Sequence, residues 1–256
     1  MQARSPSVSD EPFLALQQVS RRFANGVTAL ADVSLQAARG EFVSLLGPSG
    51  CGKSTVLRLL SGLDEPSSGQ VQRPPDDVGY VFQEPTLMPW ASVQDNVRLP
   101  LRLRGAPRAE ADAAVQAALS AVGLADFARA LPRELSGGMK MRASIARALV
   151  TRPSLLLLDE PFAALDEITR FKLNQDLLAL WQRDAFTALF VTHSVYEAVF
   201  LSQRIVVMAA RPGRVAAELT VDAPYPRTPA FRSSAEFIRC CTAVSQAMEQ
   251  ASGATL

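Results

Sequence analysis

Residues 42–55 read FVSLLGPSGCGKST, an apolar run followed by a glycine-rich loop and the start of a helical pattern. The loop, residues 47–54, matches G-x-x-x-x-G-K-[ST] at every fixed position. Glycines let the backbone curl so that successive N–H groups face one anion, and the following helix adds the positive end of its dipole. The stretch therefore predicts a strand, a phosphate-binding loop and a helix, in that order.

Two side chains of this loop are expected to carry chemistry of their own. Lys53 would place a compact charge on the β- and γ-phosphates of a nucleotide, and the Ser54 hydroxyl would bind Mg²⁺. Cys51 occupies a variable position, where its backbone matters more than its sulfur, and a redox switch is the alternative. The expected ATP-binding set is Gly47, Pro48, Ser49, Gly50, Cys51, Gly52, Lys53, Ser54 and Thr55.

The apolar runs along the chain predict the layers of the fold. Residues 42–46, 78–82, 155–158, 187–192 and 205–208 are short and mostly aliphatic or β-branched, with helical patterns between them. Such runs are typical of a parallel sheet covered by helices on both faces. Residues 13–43 begin instead with short strands separated by turn signals, which predicts an antiparallel β layer. Residues 96–150 show only helical patterns, which predicts a helical insertion.

We expect three parts along the chain: a flexible leader at 1–11, a main domain at 12–215 that contains the insertion, and a tail at 216–256. In the tail, Phe237, Cys241, Val244 and Met248 fall on one face of a helical pattern. This pattern predicts a closing helix packed on the core, and a regulatory or dimerising element is the alternative.

Composition narrows the function classes. The 256 residues are 48% hydrophobic and 20% charged, which supplies a sizeable core and excludes wholesale disorder. The chain has 26 Lys plus Arg against 25 Asp plus Glu, so the basic excess of a nucleic-acid-binding protein is missing. Three cysteines and one histidine predict neither a disulfide framework nor a Cys/His metal cluster. No apolar run approaches the roughly 20 residues that span a bilayer.

A pair of carboxylates ends one of the buried runs. Leu155–Leu158 leads directly into Asp159 and Glu160. Two carboxylates at the end of a buried strand are energetically unfavourable unless a cation or polar ligand lies there. We expect Asp159 to be a second anchor for Mg²⁺ and Glu160 to prepare a water for attack on the γ-phosphate. The alternative is an acid pair at a helix N-terminus, which the nearby phosphate loop disfavours.

A third motif points to one family of nucleotide-binding proteins. Leu135, Ser136, Gly137, Gly138 and Met139 lie at the end of the helical insertion, before a run rich in alanine and arginine. They resemble the signature motif of ABC transporter ATPases, whose usual form ends in glutamine rather than methionine. The resemblance covers roughly residues 13–215, and the motifs follow the family's order.

This resemblance implies an α/β fold with a P-loop (RecA-like) parallel sheet, an N-terminal antiparallel β layer and an inserted α-helical subdomain. It also implies ATP hydrolysis coupled to transmembrane transport. The active form would be a homodimer packed head to tail, in which the signature of one subunit cradles the ATP bound by the other. A glycine-rich helix N-terminus of this kind can bind an anion.

The same resemblance assigns roles to residues in four further motifs. Phe23 resembles the aromatic residue that stacks on adenine, and Gln83 the glutamine that touches Mg²⁺ and senses the γ-phosphate. His193 resembles the switch histidine that contacts the γ-phosphate, and Asp166 belongs to the loop that crosses between the two active sites.

The expected catalytic and metal-binding sets overlap. The catalytic set is Glu160, His193 and Gln83, and the Mg²⁺ set is Ser54, Gln83 and Asp159. Met139 and Met141 replace glutamines that are common in the family. Neither replacement is expected to abolish hydrolysis, although Met141 would alter a polar contact after the signature.

Residues Glu84–Trp90, EPTLMPW, are unusually apolar for a loop. In the family this surface receives a helix of the membrane subunit, and exposed Leu87, Met88 and Trp90 would suit such an interface. The alternative is that they cover the core. Residues 87–97, residues 197–214 and the tail with its Pro-Arg and Phe residues resemble the nitrate/sulfonate/taurine importer branch. That resemblance implies two permease subunits, an extracytoplasmic solute-binding protein and a place on the cytoplasmic side of the inner membrane.

The leading hypothesis is therefore the ATP-hydrolysing subunit of an importer for a small anionic, sulfonate- or nitrate-like solute. A non-transport ABC ATPase of DNA repair or the ribosome is the alternative, but such proteins usually fuse two ATPase units or carry coiled-coil or zinc insertions. A P-loop kinase for a small molecule would not need Ser136–Met139. A module that binds ATP without turnover would not need Glu160.

Overall fold

The computed structural model describes residues 12–74 and 78–253. The leader expected at 1–11 lies outside these residues. The strands are β1 (Leu14–Arg22), β2 (Thr28–Ala37), β3 (Phe42–Leu46), β4 (Ser68–Gln72), β5 (Val78–Val81), β6 (Leu155–Asp159), β7 (Thr187–Thr192), β8 (Arg204–Ala209) and β9 (Arg214–Thr220). The α-helices are α1 (Lys53–Ser61), α2 (Val93–Leu103), α3 (Arg108–Ala121), α4 (Gly137–Leu149), α5 (Glu167–Asp184), α6 (Val195–Leu201) and α7 (Ala235–Ser252).

The larger sheet confirms the predicted parallel core. Its strand order is β5-β6-β7-β3-β8-β9, and every neighbouring pair is parallel except β8 with β9. All five apolar runs of the sequence are strands of this sheet. Strands β3 and β7 are buried along their whole length. Helices cover one face of the sheet, and α1 with the antiparallel β layer covers the other. This explains why the two strands are continuously apolar rather than alternating.

The carboxyl ends of the parallel strands meet at one edge of the sheet. Leu46 of β3 is paired with Thr192 of β7, and Asp159 of β6 with Val191. The phosphate loop, the Asp159-Glu160 pair and His193 therefore leave the sheet side by side. Ligands of open α/β sheets bind at this edge, so the topology assembles a site from residues that are distant in sequence.

A second sheet of three antiparallel strands, ordered β2-β1-β4, forms the predicted β layer. Its third strand was not predicted, because SGQVQ (68–72) has no apolar alternation and is largely exposed. Pairing with β1 along one edge, rather than local sequence, gives this segment its extended form.

The helical insertion consists of α2, α3 and α4, with two short 3₁₀ turns between α3 and α4, and residues 93–150 contain no strand. The predicted helix at 108–122 is α3, and Gly123 after it has a φ of +68°. A left-handed residue at this position closes the last turn, which is the usual reason for glycine there.

The tail is continuous with the sheet. The boundary expected between 215 and 216 lies within β9, which pairs antiparallel with β8. Exposed residues alternate in β9 with half-buried Val215, Ala217 and Leu219, so no continuous apolar run marks this strand. The closing helix is α7, which packs on β8 and α6 with Phe237 and Val244 buried. Cys241 and Met248 on the same face are partly buried against the core.

One buried arginine fastens the tail to α6. Arg227 is only 4% exposed, and its guanidinium lies 4.3 Å from the ring centroid of Tyr225. Its hydrogen bonds of 2.8 to 3.3 Å go to the carbonyls of Val199, Phe200, Ser202, Val221 and Ala223. Because three of these carbonyls lie at the end of α6, Arg227 caps that helix and holds the tail against it.

We predict that Arg227→Met lowers the free energy of unfolding by at least about 2 kcal/mol, because buried carbonyls lose their donor. Urea unfolding followed by circular dichroism measures this change. Arg239→Met on α7 is the matched control, since Arg239 is exposed. Equal losses in the two variants would contradict the capping role.

Candidate functional site

The phosphate loop is curled around the ammonium group of Lys53. Lys53 is the first residue of α1, and its Nζ donates to the carbonyls of Gly47 at 2.8 Å and of Pro48 at 3.1 Å. The side chain is 5% exposed. The loop is therefore organised before any contact with phosphate, with a buried cation at its centre and the N-terminus of α1 directed at the same point.

Two glycines of the loop are required by its geometry. A Cβ on Gly47 would lie 2.5 Å from the carbonyl oxygen of Met208. Gly52 has a φ of +90°, and a Cβ there would lie 2.5 Å from Leu30 Cδ2. The pattern of glycines in the sequence is thus explained by close approach of the loop to β8 and to the β layer, as well as by φ.

We predict that Gly52→Ala destabilises the protein more than Gly50→Ala, although both residues have positive φ. Gly50 has a φ of +77° and open space around it, so alanine there costs roughly 1–2 kcal/mol of backbone strain alone. Gly52→Ala adds the clash with Leu30. Thermal unfolding of both variants measures the difference, and equal melting temperatures would contradict it.

A hydroxyl and a carboxylate meet beside the loop. The Ser54 hydroxyl donates to Asp159 Oδ1 at 2.9 Å, and the Tyr80 hydroxyl to Oδ2 at 3.4 Å. Burial raises the pKa of the Asp159 carboxyl above its ordinary value, while the Ser54 hydrogen bond acts in the opposite direction. Hard oxygen donors of this kind fit Mg²⁺, which takes one or two protein ligands and keeps waters and phosphate oxygens.

Glu160 lies between Lys53 and His193. Its Oε1 is 3.7 Å from Lys53 Nζ, and its Oε2 is 3.4 Å from His193 Nδ1. The backbone of Glu160 has a φ of +44°, which is uncommon outside glycine. The strained turn after β6 therefore directs the carboxylate across the carboxyl edge of the sheet, where it can accept a proton from a water held near a phosphate.

Gln83 and Phe23 flank this centre without joining it. Gln83 is exposed and follows β5, which pairs with β6. Phe23 is half-buried after β1, and the guanidinium of Arg21 lies 5.1 Å from its ring centroid. Their expected contacts with Mg²⁺ and adenine remain predictions.

The signature residues form the N-terminus of α4. Ser136 caps the helix, accepting a hydrogen bond from the Met139 N–H at 3.3 Å. A Cβ on Gly138 would lie 2.7 Å from Thr169 Cγ2, so glycine permits close packing of α4 on α5. In the described chain, no hydrogen bond or ion pair joins Ser136 to Lys53, Glu160 or His193. The signature is therefore not bonded to the Lys53–Glu160 centre of its own chain, and its contact with a partner's nucleotide remains a prediction.

The remaining signature residues are packed. Leu135 is buried, and Met139 is partly buried against the core. Met141 is 3% exposed within the core, so the polar contact that its replacement of glutamine was expected to alter is an apolar one here.

Asp166 caps α5 and accepts from the Thr169 N–H at 2.9 Å, which lowers the pKa of its carboxyl. The residues that were expected to cross between active sites are thus held by a local cap. The crossing itself remains a prediction.

The Glu84–Trp90 segment is only partly exposed. Trp90 is 78% exposed, whereas Leu87 and Met88 are half-buried, with Leu87 against the core. Leu87 therefore covers the core, whereas Trp90 is free to contact a partner, and the interface itself remains a prediction.

Sequence reasoning missed two residues that shape the site. Tyr80 reaches Asp159 from the neighbouring strand β5, and Arg147 of α4 donates to the backbone of the segment after Gln83. The position of Tyr80 two residues before a strand end was a signal for the first. No local signal marks the second.

Comparisons with known proteins agree with this geometry. A family model described as ABC transporter matches residues 30–163. A putative ATP-binding protein of Brucella abortus is 47% identical over 89% of this chain and 90% of its own length. An aliphatic sulfonates import ATP-binding protein of Pseudomonas syringae pv. tomato is 49% identical over 82% of this chain and 88% of its own.

Solved structures give the same result. A dimeric ATP-binding cassette in a post-hydrolysis state, with ADP and phosphate bound, superposes with a TM-score of 0.74 at 34% identity. The match covers 82% of this chain and all of that one. No helix among the described residues is long and apolar enough to cross a membrane. The chain belongs to the ABC transporter family, as an ATP-binding ATPase subunit.

Proposed function

We propose that this ATPase subunit energises an importer for a small anionic solute of the sulfonate or nitrate class. The proposed solute class rests on the 49% identity of this chain to an aliphatic sulfonates import ATP-binding protein. The alternative of DNA repair or ribosome function has no comparable support, and the near-neutral charge of the chain argues against it.

In this proposal, Glu160 is the general base, and His193 holds its carboxylate and reads the γ-phosphate. The support is geometric, because Lys53 and His193 both lie within 4 Å of Glu160. Lys53 neutralises the phosphate charge that develops during transfer. Gln83 and Phe23 complete the pocket for metal-bound phosphate and adenine.

Mg²⁺ would be held by Ser54 and Asp159, with Gln83 as a further ligand. The 2.9 Å contact between the Ser54 hydroxyl and Asp159 supports this set. The ion would neutralise phosphate charge and orient the nucleotide. The chain's own contribution is to fix these oxygens at the mouth of the loop, with Tyr80 orienting Asp159.

The functional unit is a head-to-tail homodimer, in which Ser136–Met139 of each subunit cover the nucleotide of the other. The separation of the signature from the Lys53–Glu160 centre supports a composite site. Binding of ATP then closes the pair, and loss of the γ-phosphate lets it open, which is a two-state element biased by a ligand.

Two permease subunits would contact the Glu84–Trp90 segment, where Trp90 offers an exposed aromatic anchor. The ATPase would lie on the cytoplasmic side of the inner membrane, held there by the permease. A solute-binding protein outside the membrane would deliver the solute.

The test is reconstitution with permease subunits and a solute-binding protein, which are sought among the reading frames that neighbour the one for this chain. Proteoliposomes are loaded with ATP, and uptake of a radiolabelled alkanesulfonate, taurine or nitrate is measured. We expect ATP-dependent uptake of at least one of these three solutes. Uptake of none of them, with an active ATPase, would exclude the proposed solute class.

A further inference from the structure

The segment between Gln83 and α2 is fastened by one arginine of the signature helix. Arg147 lies in the last turn of α4, and its guanidinium donates to the carbonyls of Pro85 at 2.9 Å and Thr86 at 2.8 Å. It also donates to the Thr86 hydroxyl at 2.8 Å. Thr86 has a φ of +47°, which is unusual for a β-branched residue, so the turn is held by its surroundings.

A buried asparagine fastens the other half of the segment to α2. Asn96 is fully buried, and its Oδ1 accepts from the Met88 N–H at 2.7 Å. Its Nδ2 donates to the carbonyls of Met88 at 3.2 Å and Ala91 at 3.1 Å. This side chain replaces the backbone partners that an irregular loop lacks.

Both fastenings belong to the helical insertion. Within residues 12–74 and 78–253, the side-chain hydrogen bonds to Glu84–Ala91 come from α2 and α4 alone. Helices α2 and α4 pack on each other. On the other side, the segment joins β5 through Phe82 and Gln83, which are exposed. The side-chain hydrogen bonds of the segment thus tie it to the insertion, whereas its covalent link to β5 runs through exposed residues.

The helix that carries Arg147 begins at the signature. Helix α4 spans Gly137–Leu149, with Ser136 as its N-cap. A helix transmits displacement along its axis because its backbone hydrogen bonds are all internal. Arg147 at one end and Ser136 at the other are therefore mechanically linked.

We propose that Arg147 and Asn96 are positioning residues that make the Glu84–Trp90 segment one rigid body with α4 and α2. A membrane partner that displaces the segment then moves Ser136 in the composite site. This inference rests on the proposed function for the role of the membrane partner. The rigid body itself is a property of the isolated chain.

The first test measures distances in the isolated chain by pulsed electron paramagnetic resonance. Spin labels are placed at Trp90→Cys and Lys140→Cys, with Cys240 and Cys241 replaced by serine and the buried Cys51 retained. A second pair, Lys140→Cys with Gln182→Cys, reports on α4 against α5. We expect a narrow 90–140 distribution that broadens about twofold or more in Arg147→Ala, while the 140–182 distribution is unchanged.

Matched variants separate fastening from general destabilisation. Arg183→Ala removes an exposed arginine that bonds only to its neighbour Asp184, and it should leave both distributions unchanged. Asn96→Ala should broaden the 90–140 distribution, as Arg147→Ala does. Arg147→Lys keeps the positive charge but lacks the several planar N–H donors of the guanidinium. This variant replaces Arg147→Ala in the measurement if the alanine variant does not fold. A broad 90–140 distribution in the parent chain, or no change in Arg147→Ala and Arg147→Lys, overturns the proposal.

The second test uses the reconstituted transporter. Arg147→Ala should retain the ATP turnover of the isolated subunit, because Arg147 bonds to Pro85 and Thr86 and not to the signature. It should lose about tenfold or more of the solute-stimulated turnover, because displacement of the segment no longer reaches α4. Equal stimulation in the variant and the parent overturns the coupling. If the parent shows no uptake at all, the proposed function fails, whereas the distance measurements still decide whether the rigid body exists.

Discussion

Glu160→Gln is expected to slow ATP turnover at least about 100-fold while ATP binding is retained, since a positioned general base typically contributes that factor or more. Glutamine is nearly isosteric and can keep its one oxygen near Lys53 Nζ, with the amide nitrogen toward His193, but it cannot accept the proton of a water. Single-turnover hydrolysis and equilibrium ATP binding, measured on the same preparation, separate the two effects.

The same variant should accumulate an ATP-bound dimer, because the nucleotide that closes the pair is no longer removed. Size-exclusion chromatography with and without Mg-ATP measures this. Glu167→Gln is the matched control, since Glu167 is an exposed acid at the start of α5, 3.9 Å from Arg232. Hydrolysis by Glu160→Gln at the parent rate would show that another group activates the water.

The parallel core was predictable because each buried strand carries its own apolar run. The six-stranded sheet nevertheless ends in β9, whose residues alternate between half-buried and exposed. Strand β4 is exposed along most of its length. Both are edge strands, and pairing with β8 and β1 decides their structure. Such tertiary context does not appear in local composition.

The candidate site was predictable where one short motif brings its own geometry. The phosphate loop sets the position of Lys53 and Ser54, and the parallel register then places Asp159 beside Ser54 although the two residues are 105 positions apart. Arg147 and Thr86 are 61 positions apart, and no motif announces their contact. The attachment of the Glu84–Trp90 segment to α4 could therefore be recognised only in the folded structure.

The largest effect outside the Glu160 centre is expected for Ser136→Arg, which should reduce ATP hydrolysis at least about 100-fold without weakening ATP binding by the monomer. Ser136 caps α4 and makes no hydrogen bond to Lys53 or Glu160 of its own chain. A bulky arginine at this helix N-terminus would fill the cradle for the partner's nucleotide and prevent closure of the dimer.

Loss of the cap at Ser136 also costs about 1 kcal/mol of stability, so thermal unfolding is measured beside activity. Ser120→Arg on the exposed face of α3 is the control for an added arginine in the insertion. In the parent, specific activity should rise with protein concentration, because each site needs two chains. If Ser136→Arg binds ATP and still hydrolyses it at the parent rate, or if the parent's specific activity is independent of concentration, the nucleotide is hydrolysed within a single chain and the composite site is excluded.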